Sequence, residues 1–151
     1  MTADRVFYRI VVPTDFSDCA EEAWALAQRL AGAFSAELVL VHVLADPPGH
    51  GEGPFNLGQA EQVYEGSRRW VEEQLAAWVA KANEKGVGAR VMLRVGAPDR
   101  EIVALATDER ADLLVIGTHG RGGIDRVLLG SVADRVVRTA LCPVLTVRKL
   151  G

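Results

Sequence analysis

The chain alternates between two hydrophobic patterns, and this alternation restricts its fold more than any other feature. Five short runs rich in valine, isoleucine and leucine predict strands at Tyr8–Val12, Glu37–Val43, Ala89–Arg94, Asp112–Ile116 and Val144–Val147. Several of these runs are apolar at almost every position, which is typical of parallel strands covered by helices on both faces. We therefore expect an α/β protein built on a parallel sheet.

Stretches with helical periodicity lie between the predicted strands. They are predicted at Ala20–Phe34, at about 60–85, from Pro98 onward, and from Gly130-Ser131 until Pro143. Ser17 or Asp18 stands where the first helix needs an N-cap. With right-handed crossovers, this order predicts one open five-stranded parallel sheet, strand order 3-2-1-4-5, with helices on both faces. Arg90 and Arg94 place the third strand at an exposed edge.

Length, charge and cysteine use narrow the classes of function. A chain of 151 residues fits a single domain spanning residues 1–151. The formal net charge of −3 has the wrong sign for a protein that binds nucleic acid phosphates. The two cysteines show no disulfide or zinc spacing, and no secretory signal or membrane-length apolar run is present. We therefore expect a cytoplasmic protein that binds neither nucleic acid nor membrane.

A glycine-rich loop follows the fourth predicted strand. Gly117, Gly120, Gly122 and Gly123 fall within seven positions, and Gly130-Ser131 then opens a helix. Such a loop lets the backbone approach a ligand closely, and a helix N-terminus favours phosphate. The loop matches neither GxxxxGK[ST] nor GxGxxG. From composition alone, a phosphate site and a tight turn with a helix cap remain equally acceptable interpretations.

The loop after the first predicted strand carries the second candidate group. Pro13, Thr14 and Asp15 leave a central strand just before the helix that Ser17 is expected to cap. Ligands of open α/β sheets bind beyond the carboxyl ends of the strands, where the strand order reverses. The Asp15 carboxylate could therefore bond a ribose or hold a divalent cation beside phosphates. By itself, a role in starting the helix is the simpler interpretation.

Together these residues resemble the universal stress protein family. The resemblance rests on Val12–Ser17, on Leu40–Val43, on Gly117-x2-Gly120-x9-Gly130-Ser131 and on Pro143-Val144-Leu145. It covers essentially the whole chain and implies a Rossmann-like fold. The glycine motif is the specific part, because it is similar to that of the family members that bind ATP.

The resemblance also implies a role for each matching residue. Pro13, Thr14 and Asp15 would line the nucleotide, with Asp15 near the ribose and a phosphate-bound Mg²⁺ or Mn²⁺. Val43 would contact adenine through its backbone, and Ile116 and Gly117 would pack on the adenosine. The phosphates would be held by Gly120, Gly130, Ser131 and Val132.

Three functions are compatible with this pattern. The first is an ATP-binding stress or signalling module that acts by nucleotide-dependent conformation or by binding a protein partner, which the sequence does not specify, and that hydrolyses ATP slowly at most. The second is a true ATPase or nucleotidyl-transfer enzyme, and the third is a nucleotide-free dimerising scaffold. No catalytic residue is singled out, because His42 fits a core position and His119 lacks a nucleophile partner.

The last strand predicts assembly. Strand five is expected at an edge with no later element to cover it, and uncovered edges pair with other chains. Members of the family that this chain resembles typically dimerise through this strand. We therefore expect a homodimer whose interface includes Val144, Leu145, Thr146 and Val147.

Overall fold

Five parallel strands form the central sheet, as the sequence predicts. The computed structural model describes residues 5–47, 57–119 and 129–149. The strands are β1 (Arg9–Pro13), β2 (Glu37–Leu44), β3 (Ala89–Val95), β4 (Leu113–Gly117) and β5 (Val144–Val147). The helices are α1 (Asp18–Phe34), α2 (Leu57–Glu84), α3 (Pro98–Asp108) and α4 (Ser131–Thr139). Every predicted element is present, and the predicted bounds either coincide with the observed ones or differ by at most three residues.

The starts of β1 and β4 show why the predicted strand bounds shift. Both strands begin one residue later than the hydrophobic runs predict. The Asp112 carboxylate accepts hydrogen bonds from the Tyr8 and Arg9 amides at 2.7 and 2.8 Å. A side chain therefore satisfies the amide of Tyr8, which the sequence pattern assigned to the strand.

The strand order is β3-β2-β1-β4-β5, and every neighbouring pair is parallel. This confirms the predicted topology and places β3 at an edge. Alternate side chains of each strand enter opposite layers: Leu38 and Leu40 pack with α1 and α2, whereas Val39 and Val41 pack with α3. The helix α4 lies in the same layer as α3. Helices therefore cover both faces.

The reversal of strand order fixes where a ligand can enter. From β1, the chain winds through α1 and α2 toward β3, and then returns through α3 to β4 on the other side of β1. The loops that leave β1 and β4 therefore diverge, because they lead to helices on opposite faces. A crevice at this point is the usual ligand site of such sheets.

Gly117 lets α1 approach the end of β4. A Cβ atom on Gly117 would lie 2.8 Å from both the backbone carbon and the Cβ of Cys19. Real Cβ atoms are not found that close to backbone, so any side chain at residue 117 pushes the two elements apart. This structural requirement is separate from any contact that Gly117 makes with a ligand.

Four charged side chains form an ionic cluster, Arg9, Glu37, Arg90 and Glu109, at the amino end of the sheet. Arg9 and Arg90 each contact both glutamates, and Arg90 binds Glu109 most closely. The hydrogen bond from Arg90 is the main cause that lowers the pKa of Glu37 and of Glu109 below the usual value for glutamate. The cluster ties β1, β2 and β3 to the end of α3, far from the crevice.

No helix in the described residues is both long enough and apolar enough to cross a bilayer.

We predict that Gly117→Ala lowers the free energy of unfolding by about 1–3 kcal/mol, because the new methyl group meets the backbone of α1. Gly32→Ala in α1 is the matched control, since nothing lies within 4 Å of its Cβ position. It should stabilise the protein by about 0.5–1 kcal/mol through helix propensity. Urea unfolding of both variants measures the difference. Equal stabilities would contradict the close approach of α1 to β4.

A second prediction concerns acid stability. Glu109 has a lowered pKa in the folded protein, so its stabilising contribution is present above the pKa of the unfolded chain and is lost as the pH falls. Glu109→Gln should therefore cost about 0.5–1 kcal/mol at neutral pH, and this cost should shrink progressively as the pH falls below the ordinary glutamate pKa of about 4.3 and through the lowered pKa of the folded state. Urea unfolding across this pH range, with Glu73→Gln on the exposed face of α2 as control, tests the effect. If the stability cost of Glu109→Gln does not change with pH, the ionic interactions of Glu109 are not its cause.

Candidate nucleotide site

The predicted site residues surround one cleft at the carboxyl end of the sheet. The cleft has a volume of about 460 Å³, within the range of small-molecule sites. Among its lining residues are Pro13, Thr14, Asp15, Val43, Ile116, Gly117, Gly130, Ser131 and Val132. Gly120, the other predicted site residue, lies outside the described residues. Residues from distant parts of the chain therefore meet where the strand order reverses.

The loop after β1 is held by its own polar groups. Thr14 is only 5% exposed; its amide donates to the Val41 carbonyl at 2.8 Å, and its Oγ1 accepts from the Phe16 amide at 3.0 Å. Asp15 Oδ1 accepts from the Ser17 amide at 3.0 Å. Phe16 adopts a left-handed backbone conformation, with φ of 64°. These bonds fix the turn that carries Asp15 to the wall of the cleft.

Asp15 shapes the turn before α1 and also lines the cleft. Its Oδ1 atom accepts the hydrogen bond from the Ser17 amide, and it is the acidic residue among the described lining residues. No group of three or more acidic, histidine or cysteine side chains that could hold a metal occurs in the described residues. In proteins, Mg²⁺ is commonly held by one or two carboxylates together with waters and substrate phosphates.

Ser17 joins the two loops that border the cleft. It is the N-cap of α1, and its Oγ accepts from the Ala20 amide at 3.3 Å. The same hydroxyl donates to the His119 carbonyl at 3.4 Å. The sequence indicated the cap, but the contact with the loop after β4 depends on the approach of α1 to that strand.

The first turn of α4 lines the cleft, and the amides of its first three residues have no hydrogen-bond partner among the described residues. Gly130 is the N-cap, and its amide donates to the Thr118 carbonyl at 2.6 Å. The first bond within the helix runs from the Asp134 amide to the Gly130 carbonyl. The amides of residues 131–133 therefore have no partner inside α4, and they lie at its positive end. The sequence expectation included the Gly130 amide among the phosphate donors, whereas the structure has it already paired.

Val43 presents its backbone to the same cleft. In the β1–β2 ladder, Glu37 donates to Tyr8 and Thr14 donates to the Val41 carbonyl, so the odd residues of β2 face β1. By this alternation the N–H and C=O of Val43 also point toward β1, which has already ended at Pro13. The Val43 peptide groups are therefore directed into the space beyond β1.

Several cleft residues were not among the predicted site residues. Pro98 and Ile102 belong to α3, Thr118 and His119 extend the end of β4, and His42 lies between Val41 and Val43. Pro98 follows an edge strand, and no sequence pattern indicated that its loop lies near a ligand site. The right-handed crossover from β3 to β4 carries α3 over the cleft. The handedness rule was therefore the signal from which the position of Pro98 and Ile102 could have been predicted.

This arrangement defines a doubly wound α/β protein with a ligand cleft at its switch point. The profile of the Universal stress protein family matches residues 7–148. A universal stress protein of Methanocaldococcus jannaschii is 39% identical over 149 residues, which cover 97% of this chain and 85% of that protein. The chain therefore belongs to the universal stress protein family, whose members are stress-response proteins.

Solved structures agree with this assignment. Universal stress protein UspA from Lactobacillus plantarum superimposes with a TM-score of 0.83 at 24% identity, over 97% of this chain and 100% of that one, which shows the shared fold. The universal stress protein from Archaeoglobus fulgidus in complex with dAMP has a TM-score of 0.66 at 26% identity. A universal stress protein in complex with cAMP has a TM-score of 0.61 at 29% identity. Both matches cover 94% of this chain, together with 98% of the dAMP-bound protein and 97% of the cAMP-bound protein.

Proposed function

We propose that this protein is a cytoplasmic stress-response module that binds ATP with Mg²⁺ or Mn²⁺ in the cleft between β1 and β4. Occupancy of the cleft would control the conformation of the module or its binding to a protein partner. The observation that carries the proposal is that one cleft is lined by backbone groups of two kinds that have no hydrogen-bond partner among the described residues. The amides of residues 131–133 suit phosphates, and the peptide groups of Val43 suit a base edge.

The chemistry of the cleft supports a nucleotide rather than a phosphate alone. The amides of α4 lie at a helix N-terminus, which favours anionic groups. Val41, Ile102, Ile116 and Val132 provide an apolar surface for a base and a ribose. Asp15 adds a carboxylate for a ribose hydroxyl or a phosphate-bound cation. Two solved relatives are complexes with cAMP and dAMP, both adenine nucleotides.

Adenine fits this cleft better than guanine. A backbone N–H can donate to adenine N1, and the carbonyl of the same residue can accept from its 6-amino group. Guanine presents an N1–H and a 2-amino group, which require additional acceptors when buried. Asp15 is the one carboxylate that the described cleft residues provide, and we assign it to the ribose and the cation. ATP should therefore bind more tightly than GTP.

We propose that ATP is bound without rapid hydrolysis, because the polar side chains of the cleft already make hydrogen bonds within the protein. Ser17 Oγ is engaged as a helix cap and with the His119 carbonyl. Asp15 Oδ1 is engaged by the Ser17 amide, and His119 Nδ1 lies 3.0 Å from Thr118 Oγ1. These groups are committed to the shape of the loops, whereas fast hydrolysis needs a base that orients water. We therefore propose slow hydrolysis at most.

Thermal unfolding with added nucleotide tests the proposal. With Mg²⁺ present, ATP should raise the unfolding temperature more than GTP at equal concentration, because only the bound folded state is stabilised. Gly130→Val should remove the effect of ATP, since it adds a branched side chain to a residue that lines the cleft. Gly88→Val, at the opposite end of the sheet with open space at its Cβ position, is the matched control. Absence of protection by either nucleotide in the parent protein would refute the site.

Asp15→Asn separates the cation role of Asp15 from its turn role. The asparagine oxygen can still accept from the Ser17 amide, so the turn is kept while the charge is removed. We expect ATP affinity in the presence of Mg²⁺ to fall by about tenfold or more, and affinity in EDTA to change little. Calorimetric titration under both conditions measures this. An equal loss with and without Mg²⁺ would reassign Asp15 to the ribose.

We further propose that β5 mediates a homodimer. The carbonyls of Pro143 and Val147 accept from β4, so odd residues of β5 face β4 and Val144 and Thr146 direct their backbone outward. Within the described residues no strand pairs with this outer edge. Leu141, just before β5, is 85% exposed. An open edge beside apolar surface favours a two-fold contact between copies.

Thr146→Pro should shift the dimer toward monomer, because proline removes an outward backbone donor from this edge. Val95→Pro is the matched control, since residue 95 directs its amide away from β2 at the opposite edge of the sheet. Light scattering of the parent and both variants at micromolar concentration measures the oligomeric state. A monomeric parent protein, or a Thr146→Pro variant that remains dimeric, would exclude β5 as the interface.

A further inference from the structure

His42 makes a hydrogen bond that neither strand pairing nor core packing requires. Its Nδ1 atom lies 2.7 Å from the backbone carbonyl oxygen of Thr14. A carbonyl can only accept, so Nδ1 carries the proton and is the donor. The imidazole also stacks on the Phe16 ring, with 5.2 Å between ring centroids and 32° between planes. His42 therefore contacts the loop after β1 at two points.

If the β1–β2 hydrogen-bond ladder continued beyond β1, its next acceptor would be the Thr14 carbonyl. The last bond of the β1–β2 ladder runs from the Thr14 amide to the Val41 carbonyl. In a parallel ladder the following bond would run from the Val43 amide to the Thr14 carbonyl. No such bond forms, and the Thr14 carbonyl accepts from the His42 ring instead.

The ladder bond that would follow the Val43–Thr14 bond is also replaced by a hydrogen bond to a side chain. It would run from the Phe16 amide to the Val43 carbonyl. The Phe16 amide donates instead to Thr14 Oγ1 at 3.0 Å. The Val43 amide therefore lacks its ladder acceptor, because the Thr14 carbonyl is bound by the His42 ring. The Val43 carbonyl lacks its ladder donor, because the Phe16 amide is bound by the Thr14 side chain.

We infer that His42 is a positioning residue that keeps the Val43 amide available for the base of a bound nucleotide by occupying the Thr14 carbonyl. This inference rests on the proposed function for its ligand, but the hydrogen-bond exchange that it describes occurs without ligand. When the imidazole donor is removed, the Thr14 carbonyl becomes the nearest ladder acceptor for the Val43 amide. Pairing between those two groups would extend the sheet and close the base site.

Two variants of His42 separate the role of its hydrogen-bond donor from the role of its ring in packing. His42→Phe keeps an aromatic ring against Phe16, which is also contacted edge-on by Trp70 and Trp78 of α2, but it has no donor. His42→Asn places an amide donor near the position of Nδ1 and loses the ring. A packing role is preserved in the phenylalanine variant, and a donor role is preserved in the asparagine variant.

Amide hydrogen exchange of the ligand-free protein gives the first readout. In the parent protein, the Val43 amide should exchange at least about tenfold faster than the Val41 amide, which is paired within the ladder. In His42→Phe, the Val43 amide should slow by about tenfold, and in His42→Asn it should exchange as in the parent. A protected Val43 amide in the parent, which needs no variant to observe, would overturn the inference.

Ligand binding gives the second readout. His42→Phe should weaken ATP binding by about tenfold while leaving binding of inorganic tripolyphosphate within about twofold, because the phosphate donors are on α4. His42→Asn should recover most of the ATP affinity. Equal weakening of both ligands in His42→Phe, or unchanged ATP affinity, would contradict the inference. A parent protein that binds no ATP would refute the proposed function and leave the exchange result to decide the role of His42.

Discussion

The right-handedness of β-α-β connections is the constraint on which the rest of this structure depends. It sends α1 and α2 to one face of the sheet and α3 and α4 to the other, because the chain reverses direction after β3. The loops that leave β1 and β4 then diverge and open the cleft. The close approach of α1 to Gly117 narrows this opening on one side, and the first turn of α4 borders it on the other.

The cleft owes its chemistry mainly to the backbone. The first turn of α4 offers amides without partners among the described residues, and Val43 offers a peptide group beyond the end of β1. Most polar side chains nearby are used within the loops: Thr14 binds the Phe16 amide, and Ser17 caps α1. A site made of backbone groups requires a conserved shape more than conserved side chains.

A short helix lies between the proposed nucleotide site and the strand that is proposed to form the dimer interface. The helix α4 begins at the cleft with Ser131 and ends at Thr139, four residues before β5 starts. Phosphates held by its first turn would restrain the same helix that leads directly to the outer edge of the sheet. In this arrangement, occupancy of the cleft could affect assembly through one rigid segment rather than through the core.

The sequence determined the elements and their order, because these depend on local periodicity. The alternation of apolar runs and helical stripes predicted the sheet, and the arginines of β3 predicted its edge. The same local information brought Pro13, Asp15 and Ser131 to one end of the sheet, since the carboxyl ends of parallel strands share an edge. The glycine motif then indicated a phosphate site through its resemblance to the family.

Tertiary structure alone decided how these groups are used, because the deciding contacts join residues far apart in the sequence. Gly117 is required by Cys19 of α1, and the Gly130 amide is taken by Thr118. Pro98 and Ile102 reach the cleft because a crossover passes over it. His42 lies in a strand whose pattern predicted an ordinary core position, and only the ending of β1 beside it brings the Thr14 carbonyl within 2.7 Å of its ring. Periodicity places a side chain on a face, but the hydrogen-bond partners there depend on where the neighbouring strand ends.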